Sequence, residues 1–423
     1  MQASGSGAPN VLVARQPIFD RAAGVVAYEL LARRQLTDVN WVATPDDSGT
    51  TARVIGQAFL EMDVWSITEG LPAFINFTRE LLLDGTVDAL PSELTVVEVL
   101  ETVVPDQSVR QACHRLRHAG YRIALDDVVT DDPRLTLLDL ADIVKLDFAA
   151  TSAPGRTALL RQCRDAGVQV LAEKVETPEQ QREAERLGCD LFQGYFFQKP
   201  AVVGGGQLSG ARLMHLQLLR SVIAPEIDRD AIGNVLARDP ATAARLAALA
   251  LPAHIVPDDP ATLAEQLAHL DDQQIVRSTA LLVVLWFGQQ HPRPLLDAAL
   301  IRAHFCEQLA RCVGTGPAPL AGYLAGMCSL LDALVNEPLA DVVGRIHADA
   351  LLSSALLHRQ GVLGQVLELV IAYEHANWAA VRDCAGGLGV DESLLGPMYL
   401  QSLAWTRELV RRSAPAVGAG GGW

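Results

Sequence analysis

The chain has 423 residues, a formal net charge of −16 and 50% apolar residues, which favours about two or three globular domains. The negative charge opposes non-specific attraction to nucleic acid or anionic lipid, so we expect neither as a partner. The longest apolar run, Thr279 to Gly288, is shorter than the roughly 18 residues of a membrane span. The first ten residues have neither a basic start nor an apolar core. We therefore expect a cytoplasmic protein without a membrane segment.

From Val11 to about residue 200, short apolar runs alternate with helical patterns. The predicted strands are 11–15, 25–31, 73–77, 94–100, 122–127, 142–148, 168–173 and 189–197, and the predicted helices lie near 50–63, 107–119, 134–140, 155–166 and 178–187. The last helix has a clear start, with Thr177 as N-cap and Pro178 in the first turn. This order predicts an α/β fold, a (β/α)8 TIM-like barrel over 11–201, with a doubly wound open sheet as the alternative.

The second half of the chain has a different pattern. A glycine-rich joint at 202–210 is followed by segments with helical spacing, broken by proline and glycine. We expect an all-α domain over 211–410. Residues 1–10 and 411–423 are small, polar or glycine-rich, so we expect a disordered N-terminus and a flexible tail.

Polar side chains fall within or at the ends of the predicted barrel strands. The segment RIALDDVVTD, residues 122–131, places Asp126 and Asp127 directly after an apolar run. Paired carboxylates at the carboxyl end of a buried strand favour a divalent-metal site, and a polar loop that begins with acids is the alternative. Six other strands carry one such residue each: Glu29, Asn76, Glu98, Lys145, Glu173 and Gln193. Buried polar groups are costly unless paired or metal-bound, so we expect these residues to form one site.

The residue types fit metal-assisted hydrolysis of a phosphodiester. Glu29, Asn76, Glu98 and Asp126 offer oxygen ligands for Mg²⁺ or Mn²⁺, and Asp127 could reach a second ion. Lys145 could orient a water beside the metal, with Glu173 and Gln193 completing the floor of the site.

Lysine is rare in this chain. Only Lys145, Lys174 and Lys199 occur among 34 basic residues. A lysine retained where arginine is otherwise used indicates a need for a compact ammonium whose pKa can shift, and chance retention is the alternative.

Residues 11–200 resemble the EAL-domain cyclic di-GMP phosphodiesterases. The resemblance is carried by YELLAR (28–33), FINFT (74–78), VEVLE (97–101), LDD (125–127), DIVKLD (142–147), AEKVE (172–176) and FQGYFFQKP (192–200). It implies five metal ligands, Glu29, Asn76, Glu98, Asp126 and Asp127. It also implies catalytic roles for Lys145 and Glu173, loop support by Glu101, and substrate contacts from Arg33, Gln193 and Gln16.

Two segments depart from the family pattern. The usual DFGTGYSSL after the paired aspartates reads DVVTDDPRL here, in a loop (128–135) that couples dimerisation to metal binding in the family. The usual AEGVE reads AEKVE, which places Lys174 beside Glu173. The Lys174 ammonium either replaces part of a metal's charge or points outward.

The helical half resembles HDOD domains, which are related to metal-dependent HD hydrolases but lack their ligands. The matching segments are ARDPATAARLAALAL (237–251), RAHFCEQLA (302–310) and GYLAGMCSLLDALV (322–335). None of the ten histidines is followed by aspartate, so the metal-binding dyad of the HD hydrolases is missing.

Together the two halves resemble bacterial EAL-HDOD signalling proteins. We expect a signalling adaptor in which a catalytically weak or inactive barrel binds cyclic di-GMP and regulates protein partners through the HDOD domain. The alternative is an active phosphodiesterase that hydrolyses cyclic di-GMP to pGpG with Mg²⁺ or Mn²⁺. The resemblance also allows a homodimer.

Overall fold

The computed structural model describes residues 11–34, 67–194, 210–224, 227–250, 269–289, 291–314, 316 and 318–413. The chain forms two compact units. The first is Met1–Ala201 with Ala372–Ala379 and Glu392–Gly396, and the second is Val202–Ile371 with Ala380–Asp391 and Pro397–Trp423. The predicted helix near 50–63, the first ten residues, the glycine-rich joint except Gly210, and residues 414–423 of the predicted tail lie outside the described residues.

Eight strands of the first unit close into a barrel in chain order, with β8 beside β1. They are β1 (Val11–Asp20), β2 (Val25–Arg34), β3 (Ala73–Phe77), β4 (Thr95–Val99), β5 (Arg122–Val128), β6 (Ile143–Asp147), β7 (Gln169–Glu173) and β8 (Leu191–Phe192). The predicted TIM-like barrel is confirmed, and closure excludes the open sheet.

The first strand runs against its neighbours. β1 pairs antiparallel with both β2 and β8, whereas all other neighbouring strands are parallel. A short turn joins β1 to β2, and the Asp20 carboxylate accepts hydrogen bonds from Ala22 N at 2.9 Å and Gly24 N at 2.8 Å. A turn this short can connect only antiparallel strands, because parallel strands need a crossover of a dozen or more residues.

Helices of the first unit lie mostly where their end signals predict them. They are α1 (Arg79–Leu83), α2 (Gln107–His118), α3 (Ala153–Ala166) and α4 (Pro178–Leu187). Thr177 caps α4 by accepting from Gln180 N at 3.2 Å, and Gln180 Oε1 accepts from Thr177 N at 3.0 Å in return. The helix predicted near 134–140 is instead a short 3₁₀ segment, Pro133–Leu137.

One buried apolar side chain from each of the first seven strands forms a single core cluster. Its members are Ile18, Ala27, Phe74, Val96, Ala124, Ile143 and Leu171, and Leu191 of β8 packs against it. Side chains two positions apart on a strand lie on the same face. The residues two positions along each strand must therefore form the next layer on the same face.

Past residue 209 the described residues form helices and no strand, in agreement with the predicted all-α domain. They are α5 (Gly210–Ile223), α6 (Arg229–Arg238), α7 (Pro240–Ala250), α8 (Asp272–Gly288), α9 (Arg293–Cys312), α10 (Pro319–Cys328), α11 (Leu331–Val335), α12 (Leu339–Arg345), α13 (Ala350–His358), α14 (Gly361–Glu374), α15 (Trp378–Leu388) and α16 (Leu395–Ser413). A methyl group at Gly326 of α10 would overlap Arg302 O of α9, so glycine allows these helices to pack closely. Within the described residues, no helix is both long and apolar enough to cross a membrane.

Candidate active site at the carboxyl ends of the barrel strands

A layer of polar side chains covers the apolar core cluster of the barrel. Glu29, Asn76, Glu98, Asp126, Lys145, Glu173 and Gln193 each lie two residues after a core residue of the same strand or strand extension. Gln16 lies two residues before Ile18, because β1 runs in the opposite direction. We call these eight residues the polar layer. All eight are predicted site residues, and the period of the strands places them on one face.

Lys145 lies at the centre of this layer. Its Nζ is 2.6 Å from Glu98 Oε1, 2.7 Å from Asp126 Oδ1, 2.8 Å from Glu173 Oε1 and 3.4 Å from Glu29 Oε2. The Lys145 side chain is 1% exposed and that of Glu98 is 0% exposed. One ammonium is therefore shared among four carboxylates away from water.

Burial and charge pull the pKa values of this group in opposite directions. Burial disfavours the ammonium of Lys145, but the four carboxylates outweigh it and hold the lysine pKa well above its usual value. Burial raises the pKa of Glu98 and that of Glu173 well above the usual value, despite the attraction of Lys145. Lys145 is therefore a fixed cation, and the two glutamates hold protons more readily than exposed carboxyl groups do.

Gln193 connects the two antiparallel strands to the layer. Its Nε2 donates to Glu29 Oε2 at 2.6 Å and to Gln16 Oε1 at 3.2 Å. These bonds fix the Glu29 carboxylate beside Lys145. They also leave Gln193 Oε1 buried without a hydrogen-bond donor among the described residues.

The donor set fits a divalent metal ion. Asp126, Asp127 and Glu173 each offer a carboxylate oxygen, and these atoms lie within 4.8 Å of one another. Glu173 Oε2, Glu98 Oε2 and Asn76 Oδ1 are buried and have no hydrogen-bond partner within the described part of the chain. Buried oxygen acceptors without donors are costly, and hard cations such as Mg²⁺ and Mn²⁺ prefer oxygen ligands.

A bulge in β5 brings both adjacent aspartates to the site. The pairing of β5 with β6 is regular at Leu125 and Val144, then shifts before Val128 pairs with Leu146. One extra residue thus lies on β5, and Asp127 has a left-handed backbone with φ of 46°. Neighbouring residues of a regular strand point to opposite faces, so the bulge is what allows Asp126 and Asp127 to face the same site.

Lys174 contacts the site and does not point away from it. Its Nζ lies 2.8 Å from Asp127 Oδ1 and 2.6 Å from Asp147 Oδ2. Burial lowers the pKa of Lys174, but the hydrogen bonds that its ammonium donates to these two carboxylates, together with their charges, outweigh burial and raise that pKa. Of the two alternatives for Lys174, the structure has the ammonium paired with acids of the site.

Two contacts at the site were not predicted. Asp147, at the end of β6, anchors Lys174, and its place two residues after Lys145 on the same strand was the available signal. Arg134, in the altered loop, is 1% exposed; it pairs with Asp132 at 2.6 Å and donates to Val99 O at 2.8 Å. Sequence gave no signal for Arg134 beyond its proximity to Asp132.

Two other predicted residues do not join the polar layer in the described structure. Glu101 is exposed just beyond β4, and among the described residues it accepts no hydrogen bond from the altered loop. Arg33 lies on β2, but its side chain is outside the described part of the chain.

The closed eight-stranded barrel and the charged layer at its carboxyl end place this chain among TIM-like barrel proteins with a candidate metal site. Residues 7–200 match the family model of the EAL domain. YuxH of Bacillus subtilis is 31% identical over 412 residues, which cover 95% of this chain and 99% of YuxH. The chain therefore belongs to the EAL-domain family.

Two further proteins are similar to this chain over different lengths. Cyclic di-GMP phosphodiesterase CdgJ of Vibrio cholerae is 29% identical over 405 residues, covering 94% of this chain and 93% of CdgJ. Klebsiella pneumoniae BlrP1, solved as a complex with calcium and cyclic di-GMP, is 25% identical with a TM-score of 0.36, covering 44% of this chain and 54% of that one.

Proposed function

We propose that this chain is a cyclic di-GMP signalling protein whose barrel binds the dinucleotide with a divalent metal ion and hydrolyses it slowly. The observation that carries the proposal is the polar layer, in which four carboxylates enclose Lys145 beside oxygen acceptors that have no donor in the described ranges. A phosphodiester needs charge compensation on its oxygens, and this arrangement suits that need. The similarity to CdgJ supports the same ligand.

The proposed roles follow from the atoms that each side chain presents. Asp126 and Glu173 would hold Mg²⁺ or Mn²⁺, with Glu29, Asn76 and Glu98 as further oxygen donors. Asp127 is the third acid of this group, but its carboxylate is paired with Lys174. A bound ion supplies charge compensation for the phosphodiester. Glu173 Oε2 has no donor among the residues that the structure describes and can accept a proton from a water, while Lys145 keeps its proton and orients that water.

Slow hydrolysis is the proposal because of Asp127. This carboxylate is already paired with Lys174 at 2.8 Å, so part of the acidic charge available for a metal is neutralised by the chain itself. The resulting module would act mainly as a ligand sensor. We also propose that the helical segment 211–410 is an HDOD-like domain that binds protein partners. The lack of a His-Asp dyad supports a non-enzymatic role for it.

An active phosphodiesterase is the second candidate. It is favoured by the four carboxylates of the polar layer, Glu29, Glu98, Asp126 and Glu173, which all lie within 3.4 Å of Lys145 Nζ. The two candidates differ in turnover and share the ligand.

Turnover and binding are measured separately on the full chain. Cyclic di-GMP is incubated with the protein and Mn²⁺, pGpG is followed by chromatography, and binding is followed by calorimetry in Ca²⁺. We expect binding with slow turnover, and Glu98→Gln should weaken binding at least about tenfold, since it removes one of the carboxyl groups that would hold the metal ion. Glu93→Gln is the matched control, because Glu93 is exposed near the opposite end of β4.

Two results would decide against the proposal. Rapid turnover that is lost in Glu29→Ala and Lys145→Ala establishes the active enzyme. No heat of binding in wild type at high dinucleotide concentration removes the ligand-binding function altogether.

A further inference from the structure

Lys174 introduces a second cation into the acidic site, from the residue next to Glu173. Its ammonium bridges Asp127 Oδ1 at 2.8 Å and Asp147 Oδ2 at 2.6 Å. Asp127 is one of the three acids whose oxygens lie within 4.8 Å of one another. The lysine therefore neutralises a member of the candidate metal-binding group.

The backbone around Lys174 is fixed on both sides. Glu173 ends β7, and the buried Val175 donates its N–H to Gln193 O at 3.2 Å. Gly194 approaches so closely that a methyl group there would overlap Val175 O. Lys174 itself has φ of 54°, a left-handed conformation that non-glycine residues rarely adopt. Its side chain thus starts from a defined point beside the site.

Asp147 is the anchor of this lysine. Its Oδ1 accepts from Ala149 N at 2.7 Å and Ala150 N at 2.8 Å, which fixes the carboxylate in place. Its Oδ2 is then directed at Lys174. Burial raises the pKa of Asp147, but the hydrogen bonds from Lys174, Ala150 and Ala149 and the charge of Lys174 together lower it below its usual value. Asp127, in contrast, lies in the β5 bulge with 38% of its side chain exposed. Lys174 is held by the rigid acid and in turn holds the more exposed one.

On the other side of the group, Glu173 retains a buried oxygen that no donor of the described residues satisfies. Glu173 is 6% exposed, and its Oε2 is buried with no hydrogen-bond partner among the described residues. Its other oxygen binds Lys145, as does one oxygen of Asp126. A divalent ion approaching Glu173 and Asp126 would meet Glu173 Oε2, which has no partner within the described part of the chain, whereas one approaching Asp127 would have to displace an ammonium.

We propose that Lys174 is a built-in cation that occupies Asp127 and limits the site to a single tightly bound divalent ion. This inference rests on the proposed function for the identity of the site. The ammonium takes the place of a second ion by satisfying Asp127 and Asp147 together. Removing it opens a second, Asp127-based position for a metal.

The test counts bound metal without any nucleotide. Full-length protein is titrated with Mn²⁺ while free Mn²⁺ is followed by electron paramagnetic resonance. Wild type should bind one ion tightly, and Lys174→Gly should gain a second ion whose affinity rises at least about tenfold. We expect the gain in Mn²⁺ affinity to be limited, because 48% of the Lys174 side chain is exposed and water and salt therefore screen its charge. Glycine also suits the left-handed backbone at this position.

Two further variants separate charge from local structure. Lys174→Arg keeps the cation and should bind metal like wild type. Asp147→Asn keeps the acceptor for the backbone N–H groups but releases the lysine, so it should gain affinity for the second ion in the same direction as Lys174→Gly. Far-UV circular dichroism checks that each variant is folded.

The inference is overturned if Lys174→Gly binds no more ions than wild type, whatever that shared number is. It is also overturned if Lys174→Arg gains the second ion as Lys174→Gly does. Failure of the proposed function has a different signature. A chain that gains the second ion in Lys174→Gly, yet gives no heat with cyclic di-GMP, retains the metal inference and loses the dinucleotide.

Discussion

Replacing Lys145 by methionine tests whether one ammonium holds the acidic site together. The change leaves Glu29, Glu98, Asp126 and Glu173 facing one another, with four carboxylate oxygens that had lain within 3.4 Å of a single cation. Removing one partner of a buried ion pair costs about 3–5 kcal/mol. For a barrel unit of this size, that corresponds to a fall of roughly 6–20 °C in melting temperature.

The loss in Lys145→Met should depend on pH and on metal. Burial raises the pKa of Glu98 and Glu173 above the value in the unfolded chain, so the folded state keeps protons that the unfolded state has released. Stability of the variant should therefore fall as pH rises from about 5 to 8. Mn²⁺ should restore more stability to Lys145→Met than to wild type, because binding to the folded state stabilises by mass action.

Calorimetry in chelator and hydrogen exchange of β4 to β7 peptides measure the effect in the barrel itself. Arg161→Met is the matched control, since Arg161 is an exposed cation on α3. If Lys145→Met in chelator melts within a degree or two of wild type at pH 8, the four acids do not depend on the ammonium, and the electrostatic account of the site is wrong.

Two other variants test contacts away from Lys145. Arg134→Met should destabilise the barrel by about 3–5 kcal/mol, because the buried Asp132 loses its partner; the double variant with Asp132→Asn should recover part of this loss in denaturant unfolding. In the helical unit, burial lowers the pKa of His304 to about 4. The charge of Glu307 opposes this shift, whereas the charges of Arg277 and Arg311 add to it. The unfolded chain takes up the proton first as pH falls below 6.5, so wild type should lose stability between pH 6.5 and 4 and His304→Asn should lose less. Equal pH slopes for the two would contradict this.

Much of the polar layer was predictable because strands have a period of two. An apolar residue followed two positions later by a polar one recurs at Phe74 and Asn76, and again at Val96 and Glu98. Such a pair at the carboxyl end of a buried strand predicts a layer of polar side chains above the apolar core. This rule predicts seven of the eight members of the layer, whereas Gln16 was expected only from the resemblance to the EAL family.

The remaining features depend on pairing between strands, which a single strand sequence does not encode. The β5 bulge that turns Asp127 toward the site is visible only in its register with β6. The direction of β1 depends on a hydrogen-bonded turn at Asp20. Likewise, the ion pair of Arg134 depends on the loop folding back onto Val99 O.

The use of lysine at this site has a geometric reason. The prediction from composition was that a retained lysine supplies a compact ammonium with a shifted pKa. Lys145 Nζ meets four carboxylates from four strands within 3.4 Å, a convergence on one atom that a planar guanidinium cannot match. The pKa of Lys145 is raised, so the ammonium stays charged, and the site uses its small size rather than a change of protonation.

Lys174 bridges two carboxylates in the same way, and the pair places two of the three lysines of the chain at one site. Since arginine supplies nearly all other cations of this chain, the site demands point charges, and its acids are arranged as ligands of compact cations, whether ammonium or metal.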